Sequence, residues 1–148
     1  MRTLIAVIFL LAVATGCATA LKSELDAEVK RLCAIDGGVH VYETVELPPE
    51  KFDRYGHVKI PTKEEAKLND KYYSDWMVHY YRRGNPEFWR SEIRIIRARD
   101  QKVLGSSVSY SRRGGDLPSP MHESSFTCPE IGSQRDLDEA IFLKGFSE

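Results

Sequence analysis

The stretch KYYSDWMVHYYRRGNPEFWRSEIRIIRARDQKVLGSSVSYSRRGG, residues 71–115, decides the fold. It divides into three long runs rich in aromatic and β-branched residues, Tyr72 to Arg82, Glu87 to Arg99 and Lys102 to Arg113. Such runs read as strands. Directly opposed residues of an antiparallel pair share a face, so the apolar parities fix an expected register. Trp76, Val78 and Tyr80 match Ile93, Ser91 and Trp89, with Arg83 to Pro86 as the loop. Ile95 and Ile93 match Ser106 and Val108, which leaves Asp100 and Gln101 as a two-residue turn. Ile96 breaks the alternation and marks a bulge. The expectation is a three-strand meander with Trp76 and Trp89 on its core face.

Upstream, Leu21, Leu25, Val29, Leu32 and Cys33 recur at helical spacing, with Asp26 placed to pair with Lys30 and Gly37-Gly38 as the stop. Val39 to Leu47 alternates and predicts one strand, which Pro48-Pro49 ends. Residues 50–70 are charged and irregular, with a short strand possible at Val58 to Ile60. Asp116 to Ser133 reads as a long loop, and Leu137 to Leu143 fits either a short helix or a strand. The expected fold class is α+β: an N-terminal helix packed on a mainly antiparallel sheet of four or five strands.

The beginning of the chain carries a different signal. Arg2 precedes an unbroken apolar run from Leu4 to Ala14, which matches the core of a signal peptide. Spanning a bilayer takes about 20 residues, so this run is too short to be a membrane helix. It ends at Ala14-Thr15-Gly16-Cys17, which resembles the lipobox of bacterial lipoproteins, with Ala14 where that family usually has Leu. The resemblance covers residues 1–17 only. It implies removal of residues 1–16, lipidation of Cys17, and a single periplasmic domain over residues 17–148. Ala18 after the Cys resembles the outer-membrane sorting pattern, so the implied location is the cell envelope, facing the periplasm, at the outer membrane rather than the inner. The alternative is cleavage after Ala18-Thr19-Ala20, which discards Cys17 and releases a soluble periplasmic protein.

Removing the first 16 of 148 residues leaves 132, enough for one core. The mature formal charge is near −2, because 21 basic and 22 acidic residues lose only Arg2. That balance argues against nucleic acid as a partner. Of the three cysteines, Cys17 is lipidated or lost, leaving Cys33 and Cys128 as an even pair in an oxidising compartment.

Candidate chemistry is sparse. Tyr80-Tyr81-Arg82-Arg83-Gly84 recurs thirty residues later as Tyr110-Ser111-Arg112-Arg113-Gly114. In an up-down-up meander both copies end at one rim. The expected register sets Tyr81, Phe88 and Arg113 in one outward row and His79, Arg90 and Ser111 in the next. Tyr81, Arg82, Arg83, Phe88, Arg90, Arg112 and Arg113 thus form a candidate surface for an anion or a partner, whether envelope protein, glycan or lipid head group. The competing reading is a solvated face in which Arg82 pairs with Glu87, Asp75 with Arg94, and Arg90 with Glu92.

His40, His57, His79 and His122 are scattered without metal-ligand spacing. Gly105-Ser106-Ser107-Val108-Ser109 misses the nucleophile elbow, and no phosphate-binding loop occurs, so no cofactor is expected. The sequence therefore points to a lipid-anchored binding or inhibitory module without catalytic residues. The alternative is a small envelope hydrolase using His79 or His122 with a carboxylate.

Overall fold

A computed structural model of the chain describes residues 20–116, 122–128 and 133–145. The export segment, the lipobox-like Ala14 to Cys17 and residues 18–19 of the alternative cleavage site lie outside them; Ala20, the last residue of that site, is the first residue described. Helix α1 covers residues 20–36. Strands β1 (Gly38–Val41), β2 (Val45–Leu47), β3 (Tyr72–Arg82), β4 (Glu87–Arg97), β5 (Lys102–Arg113) and β6 (Ser125–Thr127) follow, and helix α2 (Gln134–Ile141) leads directly into β7 (Phe142–Lys144). The main sheet runs in the order β1-β5-β4-β3, with β6 beside β1 on the same flank of β5. All its strand pairs are antiparallel, whereas β2 and β7 form a separate parallel pair. The α+β expectation and the three-strand meander hold.

The stripe predicted for α1 is the one it buries. Val29 is fully buried against Phe88, Val108, Tyr110 and Cys128, with Leu25, Leu32 and Cys33 packed beside it. The helix stops at Gly37, whose N–H donates to the Cys33 carbonyl at 2.9 Å. A Cβ at Gly37 would sit 2.6 Å from that oxygen, so the close approach requires glycine. Cys33 is bonded to Cys128 with Cα atoms 5.7 Å apart. The staple joins α1 to the residue just after β6 across 95 residues of chain. The expected Asp26–Lys30 pair does not form: Asp26 takes Arg112 at 2.7 Å, and Lys30 lies over the Phe126 ring at 5.4 Å.

The β3–β4 register is the expected one, with Trp76 opposite Ile93, Val78 opposite Ser91 and Tyr80 opposite Trp89. The β4–β5 register is one residue away from expectation: Ile93 faces Ser107 rather than Val108, and Phe88 faces Arg112 rather than Arg113. The cause is local. A bulge falls between Ile95 and Ile96, where the alternation broke, and Leu104 is its unpaired residue. Both Tyr42 and Glu43 donate backbone N–H groups to the Leu104 carbonyl. The turn then needs four residues, 98–101, with Gln101 at φ 56°, instead of Asp100 and Gln101 alone.

A one-residue slip inverts every side chain of a strand. Consequently α1 packs on the face of β4 and β5 carrying Phe88, which had been expected to face outward, together with Val108 and Tyr110, which had been expected on the face of Trp76 and Trp89. The other face is covered only in its lower half. There α2 and the segments before β3 pack Leu137, Ile141 and Phe142 on Ile95 and Leu104, with Ile93, Tyr72, Val39, Val45, Leu47 and Phe52 around them. Gly105 lets α2 approach, since a Cβ there would lie 2.9 Å from Ile141 Cδ1 and 2.7 Å from the His40 carbonyl.

Two further expectations change. Val39 to Leu47 is not one strand: Tyr42 turns away to bond Leu104, so β1 joins the main sheet and β2 pairs with β7. Val58 makes only an isolated bridge to Phe52, and Val58 to Ile60 is not a strand. The ambiguous C-terminal segment is both candidates in succession. Ser133 caps α2 in a capping box with Asp136, and the chain extends from Phe142.

Candidate functional site

The arginine-rich rim exists, and its members have divided roles. Arg82 and Arg112 both lie opposite Phe88, so β3 and β5 bring the two Tyr-x-Arg-Arg-Gly copies to the same end of the sheet. Arg112 is 2% exposed and points under α1. It donates to Asp26 at 2.8 Å, to the Gly114 and Ser124 carbonyls at 2.8 and 2.9 Å, and to Ser124 Oγ at 2.9 Å. Phe88 is buried in the same layer. Neither side chain reaches the surface. Nearby, Lys22 bonds Asp116, which with the Ser124 N–H holds that carboxyl down at about 2.

The remaining candidates are engaged to different degrees. Arg90 donates to Glu92 at 2.6 Å, as one expected surface pair had it, and lies 3.5 Å from Asp36. Tyr110 donates its hydroxyl to Asp36 at 2.7 Å, and burial pushes that phenol up to about 12. Arg113 pairs with Glu87. Asp75 lies opposite Arg94 as expected, but makes its ion pair with Lys63 at 3.3 Å. Arg82 donates Nε–H to the Pro86 carbonyl at 2.9 Å, not to Glu87. Arg83 stacks its guanidinium 4.4 Å from the Tyr80 ring centroid. Tyr81 is exposed yet stacks on Phe88 at 5.1 Å, and His79 meets Tyr81 edge-on at 4.9 Å.

The surface this leaves is aromatic rather than cationic in its bias. On the upper half of the sheet face opposite α1, Trp76 is 70% exposed and Val78 and Tyr80 are 37% exposed. Trp89 is half-buried and lies 6.0 Å from Tyr80. None of these four belongs to the core clusters under α1 or α2. The expectation that Trp76 and Trp89 are core is therefore corrected. The inverted β5 face brings Ser107, Ser109 and Ser111 next to them instead of Val108 and Tyr110, so no greasy layer forms there. Hydroxyls flank an apolar strip, and Arg83 supplies the cation at its end.

The strip runs along an edge. At its start β3 is covered by the segment before it: the Ser74 N–H donates to Pro61 and the Ser74 carbonyl accepts from Lys63. Beyond Asp75, residues 76–82 are all exposed and β3 has no strand on its outer side among the described residues. Ser74 shows which backbone groups point outward. By the two-residue period of a strand, those of Trp76, Val78 and Tyr80 do the same. The bulge between Tyr80 and Arg82 ends the run.

Titratable groups also meet in a cleft away from this strip. Phe52, His57, Val58, Gln134, Asp138 and Glu139 line a cavity of about 220 Å³ between the 53–58 turn and α2. His57 Nδ1 is 3.0 Å from Glu139 Oε1. Burial first, then the neighbouring Glu139 charge, pushes the Asp138 carboxyl up to about 7, and its Oδ1 has no hydrogen-bond partner. Sequence reasoning placed no chemistry here, because His57 and Glu139 are 82 residues apart and meet only in the fold. His79 and His122, the histidines considered earlier, both lie at the exposed surface. No group of three or more potential metal ligands occurs among the described residues, and no helix there is long and apolar enough to cross a membrane. Compared with known proteins, the chain matches no family model, no curated protein and no solved structure.

Proposed function

We propose that the chain is a lipid-anchored envelope protein whose periplasmic domain binds or blocks a partner, without catalysis, through the strip formed by Trp76, Tyr80, Trp89 and Arg83. The observation that carries the reading is the exposure of Trp76 on an open sheet face. A large aromatic left in water costs roughly 1.5–3 kcal/mol relative to burial, and tryptophan and arginine together are the side chains that anchor protein interfaces. The lipobox-like Ala14 to Cys17 supports the anchor, and the Cys33–Cys128 bond suits an oxidising compartment. The favoured partner is an envelope protein presenting an apolar surface with a carboxylate for Arg83.

Crosslinking capture from intact envelopes with the full chain tests this. A partner retained by the native chain and lost with Trp76→Ala and Arg83→Ala supports the reading. Capture indifferent to both substitutions rejects the strip as the contact surface.

A small envelope hydrolase is the second reading, favoured only by the His57–Glu139 contact beside Asp138 in the cleft. The described lining residues offer no Ser, Thr or Cys nucleophile, so such an enzyme would have to activate water. Release of soluble product from cell-wall or lipid extracts, abolished by His57→Gln, would support it; no release would remove it.

A further inference from the structure

We infer that the free edge of β3 pairs with the same edge of a second copy of this chain, making a two-fold dimer with one sheet continuous across both molecules. The inference builds on the reading of this region as a contact surface and names one occupant for its edge. Its first support is what the edge lacks. Exposed edges are normally protected by charge, proline or a bulge. Trp76-Met77-Val78-His79-Tyr80 has no Lys, Arg, Asp, Glu or Pro, and the bulge comes only after Tyr80. The outward backbone groups of Trp76, Val78 and Tyr80 are left for a strand to bond.

The second support is self-complementarity. An antiparallel pair with its two-fold axis through Val78 sets Trp76 opposite Tyr80 of the second copy, and Tyr80 opposite Trp76. Aromatic cross-strand pairs are among the favourable ones. Three such residue pairs exchange about six backbone hydrogen bonds. The charges flanking the run match the same arrangement. Asp75 stands at one end, paired with Lys63, with Glu64 and Glu65 on the same turn leaving that end net acidic, and Arg82 and Arg83 stand at the other. An antiparallel mate brings each acidic end towards the other copy's arginines, and a parallel mate would bring like charges together. A two-fold contact of this kind is isologous and closes at two copies. The interface is short, so the dimer is weak in dilute solution and favoured where chains are confined together.

The test uses the full chain in mild detergent. Val78→Cys places two thiols across the axis, within reach of a short bis-maleimide. Tyr55→Cys, on the exposed turn beside α2, is the control. The expected result is a crosslinked species of twice the chain mass, about tenfold more abundant for Val78→Cys than for Tyr55→Cys. Native chain at about 100 μM should sediment as a dimer, and Val78→Lys, which opposes two ammonium groups at the axis, as a monomer with unchanged melting. A monomeric native chain, or equal crosslinking of the two cysteine variants, overturns the proposal. Because the readout uses purified chain alone, it stands or falls separately from capture of an envelope partner.

Discussion

Replacing Arg112 and Arg113 one at a time by alanine distinguishes the two possible β4–β5 registers. Arg112→Ala removes a guanidinium that is 2% exposed and leaves Asp26, two backbone carbonyls and Ser124 Oγ short of a donor beneath α1. Breaking a buried pair from one side costs about 3–5 kcal/mol, chiefly for the groups left unpaired. For a domain of this size that lowers Tm by about 10–20 °C. Arg113, 55% exposed and paired with Glu87, should cost about 1 kcal/mol or less. Urea unfolding followed by the fluorescence of Trp76 and Trp89 measures both. A cycle adding Asp26→Ala should return a coupling energy of about 2 kcal/mol with Arg112 and near zero with Arg113. If Arg113→Ala proves the more damaging, or if both losses are small, the register and the burial of Arg112 derived from it are wrong.

Other consequences can be measured on the same material. Cys33→Ser with Cys128→Ser opens a 95-residue link, for which the chain-entropy model sets an upper loss of about 4–5 kcal/mol; the pair should unfold at markedly lower urea, matching the native chain under reductant. Asp138 has a folded pKa near 7, above its value in the unfolded chain, so its stabilising contribution is complete at acid pH and is lost as pH rises through 7. Asp138→Asn should therefore gain on the order of 1–2 kcal/mol over native at pH 8, after allowance for partial exposure, and little at pH 4; an equal effect at both pH values would contradict the assignment. Gly105→Ala pushes a methyl against Ile141 and the His40 carbonyl and should cost about 1–3 kcal/mol, read as a lower Tm with α2 loosened in hydrogen exchange.

What the sequence made legible follows from where its patterns are strong. The stripe from Leu21 to Cys33 has one period and one solution, and α1 buries it. Trp76, Val78 and Tyr80 alternate cleanly against Trp89, Ser91 and Ile93, so their pairing could be read. The β4–β5 pairing could not, because β5 carries Gly105 and a row of serines whose parity says little. Its register is set by Leu104, a bulge residue whose carbonyl binds Tyr42 and Glu43 from a distant segment. That single residue moved Val108 and Tyr110 to the face of Phe88, which became core beneath α1, and left Trp76 in water, while Tyr81 and Arg113 of the expected outward row stay exposed. The repeated Tyr-x-Arg-Arg-Gly correctly foretold arginines at one rim. It could not reveal that Asp26, 86 residues earlier, claims one of them. The His57–Glu139 contact had no sequence signal at all, since neither residue belongs to a periodic run that fixes where it lands.

The most direct test of the proposed role is the intact mass of the chain isolated from its native cells, before and after reduction. The account predicts an N-terminus at Cys17 carrying acyl chains, and a gain of two hydrogens on reduction as Cys33 and Cys128 part. A product that keeps Met1, partitions with cytosolic proteins and shows no mass change with reductant would contradict it.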